Sequence, residues 1–528
     1  MNKQIEYLKS RVGAGKLSRR DFIGKVGALG VAAAAANVML ADAAKAAGPT
    51  KGGMLRLGVS GGESTNTLDP ALVASEVPLN VLRHWGDTLV QVEADGSLTN
   101  RLAENVESTA DAKTWRFDIR KGVEFHNGKT MTPDDVIKTI ERHSNEDSKS
   151  GALGIVKGIE TMRVDGNVVE ITLETPNADL PYLLNDYHLV IQPNGGMDDP
   201  TAGIGTGAYT VEINEPGIRH GFKKFANDWD DSRGYAAETE ILVINDATAR
   251  TAALQSGQVQ MINRVDPKVA KLLDRAPNLA IRNVSGRGHY VFIMRTETGK
   301  FVNNDLRMAL KLAINRQEMV DKILRGYGGV GNDMPINAAY PLFDDTIPQR
   351  EYDPEAAAEF YKKSGHDGSP IILRTADGAF PGAVDAAALF QQSAQAAGIP
   401  LEIKREPNDG YWSEVWNKQP FCASYWGGRP VQDQMYSTAY LSTADWNDTE
   451  FKRPDFDALL LAAKAELDLV KRKDLYSQMG NMLRDEGGLI CPMFNDFVDA
   501  VATNVEGYEE DPNGELMNSF AGVRCWTT

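Results

Sequence analysis

Side-chain chemistry requires an activated nucleophile, a phosphate cradle or a cluster of metal ligands, and this chain holds a near-match to each. Gly58-Val59-Ser60-Gly61-Gly62 has the spacing of a nucleophile elbow. That turn needs a helix directly after its serine, whereas a polar loop running to Asp69-Pro70 follows here. Gly128-Lys129-Thr130 has the form of the end of a phosphate-binding loop, but Val123 stands where the first glycine is required. The seven histidines form no HxxxH or HExxH pair, and Cys422, Cys491 and Cys525 lack zinc-finger spacing. No catalytic residues, no resident metal and no cofactor are therefore expected.

Binding chemistry is better supported. Residues 421–430 read Phe-Cys-Ala-Ser-Tyr-Trp-Gly-Gly-Arg-Pro, an apolar strand that ends at Trp426. Gly427 and Gly428 let a backbone approach a ligand closely. Arg429 then offers a guanidinium, which repels an ammonium and holds a carboxylate, phosphate or sulfonate by two parallel hydrogen bonds. Two partners are open to it: an anionic ligand, or a protein carboxylate such as Asp433. Tyr411, Trp412 and Trp416 precede this loop by one strand and suit either ligand stacking or a core. Arg374 and Arg405, at the ends of predicted strands, are further cationic candidates. Thr65, Asn66 and Thr67 supply a polar loop near the start of the chain.

The elements that must position these residues are readable in places. Thr114–Ile119 alternates Trp115, Phe117 and Ile119 with charged residues, the period of a half-buried strand. Asn127-Gly128 favours a tight hairpin turn. Thr132-Pro133-Asp134-Asp135 predicts a helix start in which the threonine hydroxyl accepts from exposed amides and two carboxylates meet the positive helix end. Val136, Ile137 and Ile140 give that helix its buried stripe. Residues 305–324 predict one long amphipathic helix capped by Gly326. Residues 370–375, 381–397 and 400–405 read strand, helix, strand. Residues 290–294 predict a hinge strand, with a return segment near 500–505.

The order strand, Lys121-Gly122, Glu124-Phe-His-Asn-Gly-Lys-Thr130, Thr132-Pro-Asp-Asp-Val136 and Ile140-Glu-Arg142 closely resembles the signature of the large solute-binding proteins that serve peptide- and nickel-type ABC importers. Further matches are Lys51–Val59 with Thr67-Leu-Asp-Pro70, Gly205-Thr-Gly-Ala-Tyr209, Asp246 through Gly257, and Tyr352-Asp-Pro-Glu-Ala356, so that the resemblance runs from about Gly52 to about Gly507. It implies an α/β, two-lobed periplasmic binding protein fold of the large peptide-binding type, with an extra subdomain in the first lobe. The implied division is a first lobe at 47–288 with an insert near 93–202, a second lobe at 289–503, and a return to the first lobe at 504–528. It also implies a monomer that captures a small molecule in its cleft and docks on ABC permease subunits. In the peptide-binding relatives the loop after the tryptophan reads Trp-x-x-Asp, and the aspartate pairs with the ligand's α-ammonium. Arg429 stands at that position here, so the charge is reversed, and a peptide derivative, an opine-like conjugate or another polycarboxylate suits it. A metal-chelate carrier of the nickel type and an exported hydrolase are the alternatives; the hydrolase lacks a nucleophile–base pair.

Composition sets the outer bounds. A chain of 528 residues, 42% of them hydrophobic, is long enough for two or three domains. A formal net charge of −17 argues against nucleic acid and anionic lipid as partners. Ser18-Arg19-Arg20-Asp21-Phe22-Ile23 matches the twin-arginine export pattern, with an apolar run over 23–40 and a small-x-small cleavage site at Ala44-Lys45-Ala46. Lys25 and Asn37 interrupt that run, which favours a cleaved signal over a membrane anchor, and the expected location is the periplasm. Folding in a reducing cytoplasm before export fits three scattered cysteines, at most one pair of which would be bonded.

Overall fold

The computed structural model describes residues 5, 8, 17, 19–29, 48–145, 148–466 and 468–528. Arg19 and Arg20 open a helix, Arg19–Ala28. Most of the apolar run after it, and the cleavage site at 44–46, lie outside the described residues. Among the described residues no helix is long and apolar enough to cross a membrane.

The alternation in Thr114–Ile119 produces the strand it predicts, with Trp115, Phe117 and Ile119 buried. It is an inner strand of a four-stranded antiparallel sheet in the order Ala103–Ser108, Thr114–Ile119, Val168–Leu173, Ile159–Asp165. The hairpin closes where Phe125 N–H donates to the Lys129 carbonyl at 2.8 Å, and Gly128 supplies the φ of +80° that the turn needs. The helix Pro133–Ser144 starts as expected, with Thr132 and Asp135 forming a capping box. The Thr132 hydroxyl donates to the Asp135 carboxylate at 2.7 Å, and its amide donates to the same oxygen at 2.8 Å. Val136 and Ile140 enter the core of this unit, while Ile137 packs half-buried against it.

Besides two two-stranded ribbons, Val90–Val92 with Leu98–Asn100 and Val505–Glu506 with Trp526–Thr527, the remaining strands form one eleven-stranded sheet. Its axis is a pair of long antiparallel strands, Leu279–Met294 and Leu489–Ala502. At one end of this pair, Met261–Ile262 joins Leu489–Ala502; beyond it lie Met54–Val59, Glu238–Val243, Arg219–Lys224 and Tyr209–Glu215. At the other end, Phe421–Trp426 joins Leu279–Met294, followed by Ile371–Thr375 and Leu401–Arg405. Ile371–Thr375 and Leu401–Arg405 are parallel and are bridged by the helix Ala383–Ala396, a strand–helix–strand unit. Both long strands thus pass through two packed bodies. One core gathers Leu55, Leu57, Val81 and Trp85 with tail residues Leu516, Val523 and Cys525. The other gathers Tyr290, Phe292, Leu373, Trp426 and Leu489.

The expected hinge strand 290–294 is the end of Leu279–Met294, with all five residues buried in the second core. The ladder with Leu489–Ala502 is interrupted twice, between Ser285 and His289, where Gly286 and Gly288 let Phe497 pack against their backbone, and again between Tyr290 and Phe292. Residues 305–324 are not one helix. Asn304–Leu312 stops, Asn315 turns extended and caps a new turn by accepting from Glu318 N–H at 3.1 Å, and Val320–Leu324 winds as a π-helical turn. An asparagine side chain that competes for helical amides breaks an otherwise continuous apolar stripe. All three cysteines are buried and unbonded.

Candidate functional site

A cavity of about 100 Å³ lies between the two cores, beside the break in the long strand pair. One wall is the helix Glu76–Trp85. Glu76, Leu79 and Arg83 face the cavity at three- and four-residue spacing, one stripe of a helix whose Val77, Val81, Leu82 and Trp85 fill the first core. The opposite wall is aromatic. Trp412, Trp416, Trp426 and Trp446 meet edge to face with centroids 5.5 to 6.3 Å apart. Asp448 fixes two of the rings, accepting from Trp416 Nε1 at 2.9 Å and Trp426 Nε1 at 3.2 Å; its burial pushes the carboxyl up to about 7.

The floor comes from the tail. Leu516, Met517, Asn518 and Ser519 are four consecutive left-handed residues with φ between 48° and 67°. Each costs about 1–2 kcal/mol relative to ordinary backbone, so the neighbours must over-determine them. Asp499 accepts from Leu516 N–H at 2.6 Å, and Ser519 Oγ donates to Glu76 at 2.8 Å. Arg264 binds Glu515 at 2.8 Å and lies 4.1 Å from the Tyr425 ring centroid. Burial and the nearby Glu515 push Glu76 up to about 8, so it carries a proton at neutral pH.

Arg429 lines this cavity and is 7% exposed. The expected alternative partner, Asp433, does not meet it. Asp433 is engaged by Ser437 at 2.9 Å, Asn177 at 3.2 Å and Lys464 at 3.3 Å. Among the described residues no carboxylate lies within ion-pairing distance of Arg429. Its Nη1 donates to its own neighbour's carbonyl on Gly428 at 3.0 Å, its Nε has no partner, and Tyr187 and Trp426 flank it at 6.0 Å. The nearest acidic influence is Asp186. Burial pushes Asp186 up, but His188 at 2.6 Å and the field of Arg429 outweigh it and hold the carboxyl at about 2.

Of the other residues singled out by sequence, Trp426, Gly427, Gly428, Trp412 and also Trp416 reach the cavity. Tyr411 does not: it is fully buried with its hydroxyl donating to the Ala423 carbonyl at 2.8 Å. Arg374 pairs with Glu406, and Arg405 pairs with Asp377 at a separate crevice. Thr65, Asn66 and Thr67 also stay outside the lining and fold their own loop. Thr65 Oγ1 donates to Glu63 at 3.1 Å, Asn66 Oδ1 accepts from Glu63 N–H at 2.7 Å, and Thr67 Oγ1 accepts from Asp69 N–H at 3.2 Å. Sequence reasoning missed Glu76, Arg83, Asp186, Trp446 and Glu515. The available signal was the polar content of 76–84, where Glu76, Asn80, Arg83 and His84 interrupt an otherwise apolar helix.

Contacts across the cleft hold the two bodies shut. Glu63 Oε1 accepts from Trp412 N–H at 2.7 Å, Ser64 Oγ donates to Asp409 at 3.0 Å, and Lys268 pairs with Asp385 at 2.5 Å. Among the described residues, no group of three or more His, Cys, Asp or Glu side chains is placed to hold a metal ion.

Residues 97–448 match the family model described as bacterial extracellular solute-binding proteins, family 5 middle. The glutathione-binding protein GsiB of Salmonella typhimurium is 26% identical over 471 residues, covering 85% of this chain and 91% of that one. The fold superposes on the binding protein AgaA of A. tumefaciens R10, solved with agropinic acid, with a TM-score of 0.81, 22% identity and coverage of 90% and 99%. It superposes equally well on the periplasmic binding protein DppA of Helicobacter pylori, solved with the peptide STSA: TM-score 0.81, 20% identity, coverage 90% and 98%.

Proposed function

The chain belongs to the bacterial extracellular solute-binding proteins of family 5, the ligand-capturing components of ABC importers, and from that premise we propose that it carries an anionic, peptide-like or opine-like solute. The observation that carries this reading is Arg429. A guanidinium that is 93% buried, lines the cavity and lacks a carboxylate partner is costly unless a ligand anion completes it. Its charge excludes the free peptide N-terminus as the group bound there. Trp412, Trp416 and Trp426 supply an apolar surface for the body of the solute.

Capture works by closure. A ligand that touches both bodies binds the shut form better than the open one and shifts the population toward it. The flexing point is the interrupted ladder at Ser285–His289, where three residues of the long strand skip their partners. The bodies it joins correspond to a first lobe at 47–288, carrying the insert near 93–202, and a second lobe at 289–503, with 504–528 returning to the first. The shut form docks on the permease, and the protein works as a monomer in the periplasm after twin-arginine export directed by Arg19 and Arg20.

Native mass spectrometry of protein purified from its own periplasm tests this. A co-purifying solute that carries at least one carboxylate is expected, released when the protein is denatured. A neutral or purely cationic solute would overturn the assignment.

A further inference from the structure

The cavity holds a second buried guanidinium, on the opposite wall from the first. Arg83 is 4% exposed, lines the cavity, and has neither a hydrogen-bond nor an ion-pair partner among the described residues. It projects from the helix Glu76–Trp85 on the same stripe as Glu76 and Leu79. Ser75, the residue that opens this helix, also lines the cavity, and its hydroxyl is buried without a partner. The guanidinium of Arg83 lies over Phe520, its carbon 4.4 Å from the ring centroid, which holds the side chain in place without neutralising it. Burial pushes its pKa down to about 10, still far above neutrality, so the charge persists.

The charges around the cavity do not balance. Glu515 is spent on Arg264, and Glu76 is protonated at neutral pH. Asp186 is the remaining lining carboxylate, held by His188 and by Gln434 Nε2 at 3.2 Å. Arg83 and Arg429 both lie in its field, and neither forms an ion pair with it. Two guanidiniums from two bodies therefore face one cavity that has a single unspent lining carboxylate, and neither is ion-paired.

We propose that the solute is a dicarboxylate with an apolar body, one carboxylate gripped by Arg429 and the other by Arg83 with Ser75. This rests on the reading of the cavity as the ligand site and adds a second recognition point to it. It also supplies a reason for closure. Without ligand the two like charges repel as the walls approach and dehydrate, whereas a dianion spanning them turns that repulsion into two charge-assisted contacts. A solute with a single carboxylate satisfies one wall alone and leaves the other cation stranded.

The test uses N-(1-carboxyethyl) amino acids with apolar side chains, which carry two carboxylates on one body, and the two mono-amides of each. Calorimetric titration of the wild-type protein should show each mono-amide binding about a hundredfold more weakly than its parent. Arg83→Gln should abolish the penalty for one mono-amide, and Arg429→Gln the penalty for the other. Arg83→Lys keeps the charge but loses the bidentate fork. It should retain the preference at about a tenth of the affinity, which covers the case where Arg83→Gln does not fold. If Arg83→Gln lowers the melting temperature yet leaves both penalties intact, or Arg83→Lys binds the parent compounds as tightly as wild type, Arg83 is a structural residue and the proposal falls while the Arg429 reading stands. If neither arginine variant alters a penalty, both readings fall. A wild-type protein that binds none of these compounds also overturns the dicarboxylate assignment.

Discussion

Replacing Glu63 by alanine acts on the shut form alone. Glu63 is 2% exposed and accepts from the amide of Trp412, a residue of the other body, at 2.7 Å. In the open form that amide meets water, so the substitution costs nothing there. In the shut form the amide is buried without a partner. A hydrogen bond to a charged acceptor is worth about 1.5–3 kcal/mol. Part of this is offset because Glu63 no longer has to be desolvated, a cost visible in the upward shift of its carboxyl by burial. The net loss is about 1–2 kcal/mol, or about 5- to 30-fold in affinity. It should fall on the dissociation rate, since the encounter involves the open form. Ser64→Ala, which removes an exposed contact to Asp409, should change affinity by less than about threefold. Stopped-flow release of the co-purifying solute reads both variants. A Glu63→Ala protein that releases solute at the wild-type rate would refute the latch, and with it the view that these contacts stabilise the shut form.

Three other outcomes follow from the same geometry. Small-angle scattering should show a smaller radius of gyration at saturating solute than without it, and an unchanged radius would count against closure about Ser285–His289. Glu76, with its carboxyl raised to about 8, binds a proton in the folded protein that it lacks in the unfolded chain. Its contribution to stability is therefore full below about pH 4.5 and lost as pH rises through 8, at up to about 1.4 kcal/mol per unit. Melting curves of Glu76→Gln should show a flatter decline from pH 5 to 8.5 than wild type, and a parallel decline would reject the shift. Replacing Arg19 and Arg20 together by lysine should leave precursor in the cytoplasm, and mature double mutant in the periplasm would reject the twin-arginine route.

The parts legible in the sequence are those where one local signal dominates. Thr114–Ile119 and Val168–Leu173 are half-buried strands, and a two-residue period carries that plainly. Arg429 was legible because a charge follows two glycines at a strand end. Residues 305–324 misled because the apolar stripe continues while Asn315 breaks the hydrogen bonding beneath it. Arg374 and Arg405 misled for another reason: a strand end shows where a cation sits, whereas its acid partner, Glu406 or Asp377, depends on how neighbouring loops fold back. Arg83 escaped notice because its helix packs apolar residues on one side. The stripe 76–79–83 becomes a binding face only when residues more than 300 positions later supply the facing wall. Tertiary distance of that kind leaves no mark on local periodicity.

Titration calorimetry of Arg429→Ala, with a melting curve of the same ligand-free protein, tests the central claim most directly. Truncating a buried guanidinium that completes a ligand carboxylate should weaken binding of the co-purifying solute by about a hundredfold or more, and Arg429→Asp should weaken it further. The ligand-free melting temperature should not fall, because Arg429 has no carboxylate partner to strand and its own unpaired burial is removed. Unchanged affinity with a lowered melting temperature would contradict the account and make Arg429 a structural residue.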